Sequence, residues 1–195
     1  MTVIGIALYS QKPNSSNKLQ TLCWALVLHP KRFHPSDHDV RIHFVKLTPT
    51  SSPYARATAW TLRHHTARLT DPRLGLGTLL GVLHVATIPN ELPMVNTYLR
   101  AFPPTSNLDG RSRRVIKGWS TAAWVVYVLT SMAARDMVQL PCAIQEVYDH
   151  AMDRIGVLEG VRAAALESSS SGSGSDDDIR RVWGGGGVGV PVVRL

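Results

Sequence analysis

Cysteine is scarce: only Cys23 and Cys142 occur in 195 residues, far apart and each inside an apolar run. Secreted disulfide frameworks carry more cysteines at closer spacing, so the two read as free buried thiols in a reducing compartment. Long apolar runs are also lacking. None reaches the ~18 residues of a membrane-spanning helix. Val3–Tyr9 has no basic residues ahead of it and runs into polar Ser10-Gln11-Lys12, unlike a secretory leader. Acidic residues are few, 14 against 21 Lys and Arg. The excess sits early: residues 1–118 hold 15 Lys/Arg and 5 Asp/Glu, residues 119–195 hold 6 and 9. A basic N-terminal half suits an acidic partner. Its cations are too scattered for a nucleic-acid stripe, except Arg111, Arg113, Arg114 and Lys117, a candidate anion or partner patch.

Apolar residues make up 44% of the chain, enough for a globular core. The first half reads as strands. Val3–Tyr9, Leu22–Leu28 and Leu79–Ile88 are short apolar runs bounded by turn residues, whereas Arg41–Leu47 and Ala57–Arg63 alternate polar and apolar. The second half reads as helices. Asn90 is a candidate N-cap for a helix with Leu92, Val95, Leu99 and Phe102 on one face. Trp119–Arg135 is apolar on every side, as in a buried helix, and a helix starting near Pro141 places Ile144, Val147, Tyr148, Ala151, Ile155 and Leu158 at helical spacing. Strands followed by helices predict an α+β domain over residues 1–166, an antiparallel sheet of about five strands with helices packed on it.

Residues 167–195 change character. Ser168–Ser175 is Ser and Gly alone, Asp176–Asp178 is acidic, and Gly184–Gly187 is a glycine run. Such a segment buries too little apolar surface to offset its ordering entropy, which predicts a low-complexity disordered tail. The apolar Val188–Leu195 departs from that pattern; docking onto the domain and an artefactual extension both fit. Ser173 and Ser175 each precede an aspartate by three positions, a common acidic-kinase pattern.

The remaining motifs carry little chemistry. His29, His34, His38 and His43, with Asp37 and Asp39, match no zinc-ligand spacing and read as a polar connection between strands. Gly75-x-Gly77-x-x-x-Gly81 precedes a strand instead of opening a helix, unlike a dinucleotide fingerprint, and no P-loop is present. No cofactor or metal is therefore expected. The reducing compartment points to the cytosol, with the nucleus as the alternative.

Three segments in one order resemble a family of uncharacterised fungal proteins with a papain-like core. They are Val3–Tyr9 followed by Cys23-Trp24-Ala25-Leu26, the histidine strand Arg41–Phe44, and Trp119-Ser120-Thr121-Ala122-Ala123-Trp124. The family typically reads His-Trp-Ala-Leu at the first and Trp-Asn-Cys-x-x-Trp at the third. The order resembles permuted NlpC-type hydrolases and lecithin retinol acyltransferase-like proteins. That resemblance implies a permuted papain-like fold with a helix-terminal cysteine nucleophile and a strand histidine as base, acting on amides or esters. This chain departs at two of the three positions. Cys23 replaces the first histidine, Thr121 replaces the cysteine, and His43 alone is kept. The expectation is a catalytically silent, papain-like binding module for a protein or acidic partner. The alternatives are a thiol hydrolase or acyltransferase using Cys23 with His43, and a basic nucleic-acid-binding domain.

Overall fold

Five strands alternate their side chains between two apolar clusters, and that alternation organises the molecule. The computed structural model describes residues 2–11, 21–30, 40–49, 58–89, 91–104, 119–170 and 192–194. β1 (Thr2–Gln11), β2 (Thr21–Pro30), β3 (Val40–Pro49), β4 (Thr58–Ala67) and β5 (Thr78–Ile88) form an antiparallel sheet. β6 (Val192–Arg194) adds to β5 in parallel, so the order is β4-β3-β2-β1-β5-β6. α1 (Leu92–Arg100), α2 (Thr121–Ala133) and α3 (Ile144–Ser170) follow. The fold is thus α+β.

β1 is buried at nearly every position because both its faces are covered. Ile4, Ile6 and Leu8 join Trp24, Leu26, Leu28 and Val45 in a cluster that the helices complete with Val95, Leu99, Trp124, Val128, Val147, Ala151 and Ile155. Ala7 and Tyr9 face the other way, with Cys23, Ala25, Val27, Ile42 and Phe44, beneath Leu69, Leu74 and Leu76 from the β4–β5 connection. Tyr9 Oη donates to the Leu69 carbonyl at 3.1 Å, tying that connection to the sheet. The connection turns through a short 3₁₀ helix, Pro72–Leu74, capped by Asp71. It then needs two left-handed glycines, Gly75 (φ 62) and Gly77 (φ 102). A Cβ at Gly77 would collide with the Ser10 carbonyl, so both space and backbone demand glycine there.

α2 is apolar all round because it packs on β2 and β3 while touching α3. Its Trp124 is fully buried, as is Trp24; each such side chain contributes about 1.5–3 kcal/mol. Trp24 also stacks on Tyr148 of α3, with ring centroids 5.5 Å apart. α3 buries Val147, Ala151, Ile155 and Leu158, the stripe that the helical spacing predicts.

Several boundaries differ from the sequence reading. β4 continues past Arg63 to Ala67, since His64 and His65 pair with His43 and Ile42. Glu91, without a side-chain cap bond, precedes α1; Asn90 lies outside the described residues. Pro141 and Cys142 lie ahead of α3 instead of in its first turn, whose first backbone bond runs from Val147 N–H to the Ala143 carbonyl. The boundary expected at residue 166 falls inside α3, which runs to Ser170. Val192–Arg194 lies on the sheet as β6. Residues 171–191, which hold Ser173, Ser175 and Asp176–Asp178, lie outside the described residues. Among the described residues no helix is long and apolar enough to cross a membrane.

Candidate functional site

The start of α2 is where the sequence reading places a lost nucleophile. Ser120 is the N-cap, in an extended conformation, and its hydroxyl accepts from Ala123 N–H at 3.1 Å. Thr121 is therefore the first helical residue. Its Oγ1 accepts the backbone N–H of Trp24 at 3.0 Å. That N–H is available because β2 and β3 part company: only Leu26, Val27 and Leu28 of β2 pair with β3, opposite His43, Ile42 and Arg41. β1, by contrast, pairs along all of β2. Where β3 has moved away, Thr121 supplies the acceptor that the ladder no longer does. The hydroxyl is 9% exposed at the residue level and committed to a structural bond.

Cys23 sits next to Trp24 in sequence and on the opposite side of the sheet. It belongs to the second cluster, away from the helices, and is 7% exposed. Burial pushes its thiol up to about 11, against a smaller downward pull from Lys46. Such a group is a neutral thiol at physiological pH and no nucleophile.

His43 faces the helices, since its strand neighbours Ile42 and Phe44 face the second cluster and Val45 the first. The sheet therefore separates Cys23 from His43, and the pairing of these two as nucleophile and base does not assemble. His43 is 1% exposed. Its Nδ1 lies 2.7 Å from Nδ1 of His64, its cross-strand partner, and its buried Nε2 makes no well-formed hydrogen bond among the described residues. Burial lowers its pKa to about 3, helped by His64, then Arg100 and Arg41; a side-chain contact with Asn96 of α1 opposes this. His64 is lowered too, first by burial and then by Arg100 and His65. A general base works best with a pKa near the working pH. His43 lies far below it, and no described carboxylate acts on its ring.

A second histidine pair, missed in the sequence, lies on the other face. His29 is fully buried; its Nδ1 is 2.7 Å from the Pro30 carbonyl and so carries the proton donated there. Its Nε2 then accepts from His84 Nε2 at 3.1 Å. The two rings stand on β2 and β5, on either side of β1. Gly5, opposite His84 and Val27, keeps β1 low between them. No motif spacing marks such a pair, because only strand register brings the rings together. Of the four clustered histidines, His34 and His38 lie outside the described residues. Among the described residues no group of three or more His, Cys, Asp or Glu is placed to hold a metal ion.

Arg111, Arg113, Arg114 and Lys117 also lie outside the described residues. Trp119 Nε1 donates to the Pro104 carbonyl at 3.0 Å, holding together the two ends of the chain that flank them. Within the described residues, β3 and β4 carry Arg41, Lys46 and Arg63, with Arg68 just beyond, and no Asp or Glu at all. Arg63 and Lys46 are exposed. Cys142 is partly buried against the first cluster, its thiol raised by burial and by Glu146.

The geometry defines an α+β domain in which Thr121 holds a backbone N–H, Cys23 packs on the far face of the sheet and His43 pairs with His64. Comparison with protein-family models, with curated proteins and with solved structures finds no match.

Proposed function

We propose that this chain is a catalytically silent domain, resembling a papain-like core, that acts as a binding module for an acidic protein partner. One observation carries the loss of chemistry: the hydroxyl at position 121, where the resembled family has its cysteine, accepts the Trp24 N–H. Two more support it. Cys23 is buried and protonated on the far face, and His43 is held neutral with no acid among the described residues to orient it. For the binding role the support is the acid-free strand pair β3–β4, with its exposed Lys46 and Arg63 at the edge of the sheet. Such a surface attracts carboxylates at low ionic strength and releases them as salt screens the charges.

The test has two arms on the full chain. Ester and amide activity probes are expected to leave Cys23 and Thr121 unmodified by mass spectrometry. Immobilised polyglutamate is expected to retain the protein at low salt, less so after Lys46→Glu with Arg63→Glu. Acylation of Cys23 or Thr121 would refute the silent reading. Stronger retention on single-stranded DNA than on polyglutamate would replace the acidic-protein partner by nucleic acid.

A further inference from the structure

We infer that the His43–His64 pair is a proton-counting latch that holds edge strand β4 to β3 at neutral pH and releases it on acidification. The argument is a count of protons on four ring nitrogens. The Nδ1···Nδ1 contact, at 2.7 Å, has room for one proton. Two neutral imidazoles carry two protons between them, so one lies in the contact and one must sit on an Nε2. The Nε2 of His43 is buried and makes no well-formed hydrogen bond among the described residues, whereas His64 is only half-buried. An N–H left buried and unsatisfied is costly, so the second proton belongs on His64 Nε2 and His43 donates from Nδ1.

A third proton has nowhere cheap to go. Keeping the contact forces a proton onto His43 Nε2; placing it on His64 Nδ1 sets two N–H groups against each other and breaks the contact. Among the described residues the surroundings offer little relief. Arg100 of α1 faces both rings, Arg41 shares the strand with His43, and His65 lies beside His64; of the described groups acting on the two rings, Asn96 of α1 alone favours a charged one, through a side-chain contact with His43. α2, which also packs on β3, contains no Asp, Glu, Lys, Arg or His. On the β2 side the residue opposite His43 is Leu26. The closed pair therefore binds fewer protons than the two rings do when β4 swings free. By linkage the closed state is favoured in full above the free imidazole pKa of ~6.5 and loses ground as pH falls below it. The loss continues toward about 3, where His43 charges in place. β4 is suited to respond, because among the described residues it is the terminal strand and pairs only with β3.

Amide exchange of the full chain between pH 7 and 4.5, corrected for the intrinsic pH dependence of exchange, reads the latch directly. Amides of central strand β1 report global opening and serve as the reference. The opening constant of β4 relative to β1 is expected to rise more than ~10-fold per pH unit below ~6.5, with a slope approaching two protons. His64→Gln supplies an acceptor for His43 Nδ1–H but cannot charge, so its slope should drop to about one. His64→Thr serves the same purpose should the glutamine variant fold poorly. Between pH 7 and 4.5, side-chain ¹⁵N spectra should show His43 Nε2 unprotonated wherever β4 remains closed. A slope unchanged by removing His64, or a His43 ring that charges while β4 amides stay protected, would overturn the latch.

Discussion

Replacing Thr121 by valine isolates the hydrogen bond on which the silent reading rests. Valine keeps the β-branched shape and has similar helix propensity, so packing and the α2 backbone are nearly unchanged. What disappears is the acceptor 3.0 Å from Trp24 N–H, a donor belonging to a residue that is 1% exposed. Leaving such a donor unsatisfied costs about 1–3 kcal/mol. The extra buried methyl returns at most about 0.8 kcal/mol. A net loss of about 1–2 kcal/mol is expected, or roughly 2–8 °C in Tm for a domain of this size. Thr121→Ser keeps the oxygen and removes the methyl instead. The urea midpoint does not separate a lost methyl from a lost acceptor, so the deciding assay is exchange of the Trp24 amide. That amide should lose protection in Thr121→Val and keep it in Thr121→Ser. A valine variant of wild-type stability with a fully protected Trp24 amide would refute the structural role given to this hydroxyl.

The remaining predictions test the backbone and the lost chemistry. Gly77→Ala should destabilise by at least about 2 kcal/mol in urea unfolding, since it combines a positive φ with a collision against Ser10; a neutral result would mean the β4–β5 connection packs differently. The paired change Cys23→His with Thr121→Cys should not create a reactive thiol, because a side chain at position 23 points away from α2. The helix terminus alone offers a thiolate only about 0.3–1 kcal/mol. Rapid iodoacetamide labelling at position 121 of the folded variant, at mildly acidic pH, would show that the three family-like positions do converge.

The strands were legible because each is a short apolar or alternating run closed by turn residues. Val3–Tyr9, Leu22–Leu28 and Leu79–Ile88 all lie inside observed strands, and the observed ends extend a little further. Trp119–Arg135 likewise contains α2, which starts at Thr121 because Ser120 caps it. What a single strand cannot reveal is its register, and the site depends on register. Cys23 and His43 look like neighbours on adjoining strands until the ladder places them on opposite faces. The two histidine pairs appear only once His64 is set opposite His43 and Gly5 opposite His84. Thr121 looked like a degenerate nucleophile because nothing local says that β3 leaves Trp24 without a partner. The apolar Val188–Leu195 stood out by composition, but three residues are too few to show the period of a strand such as β6.

The order in which the chain emerges during synthesis does not match the order of strands in the sheet. β1 is made first and pairs at once with β2, but its other edge waits for β5, with Thr2 finally meeting Ile88. Until β5 arrives, a strand buried along almost its whole length in the finished fold presents an unpaired edge on the ribosome. Such an edge is a template for pairing with other nascent chains. Slowed translation between β4 and β5 would lengthen that exposure. Loss of yield through aggregation should then track the time taken to deliver β5 more closely than the stability of the finished fold.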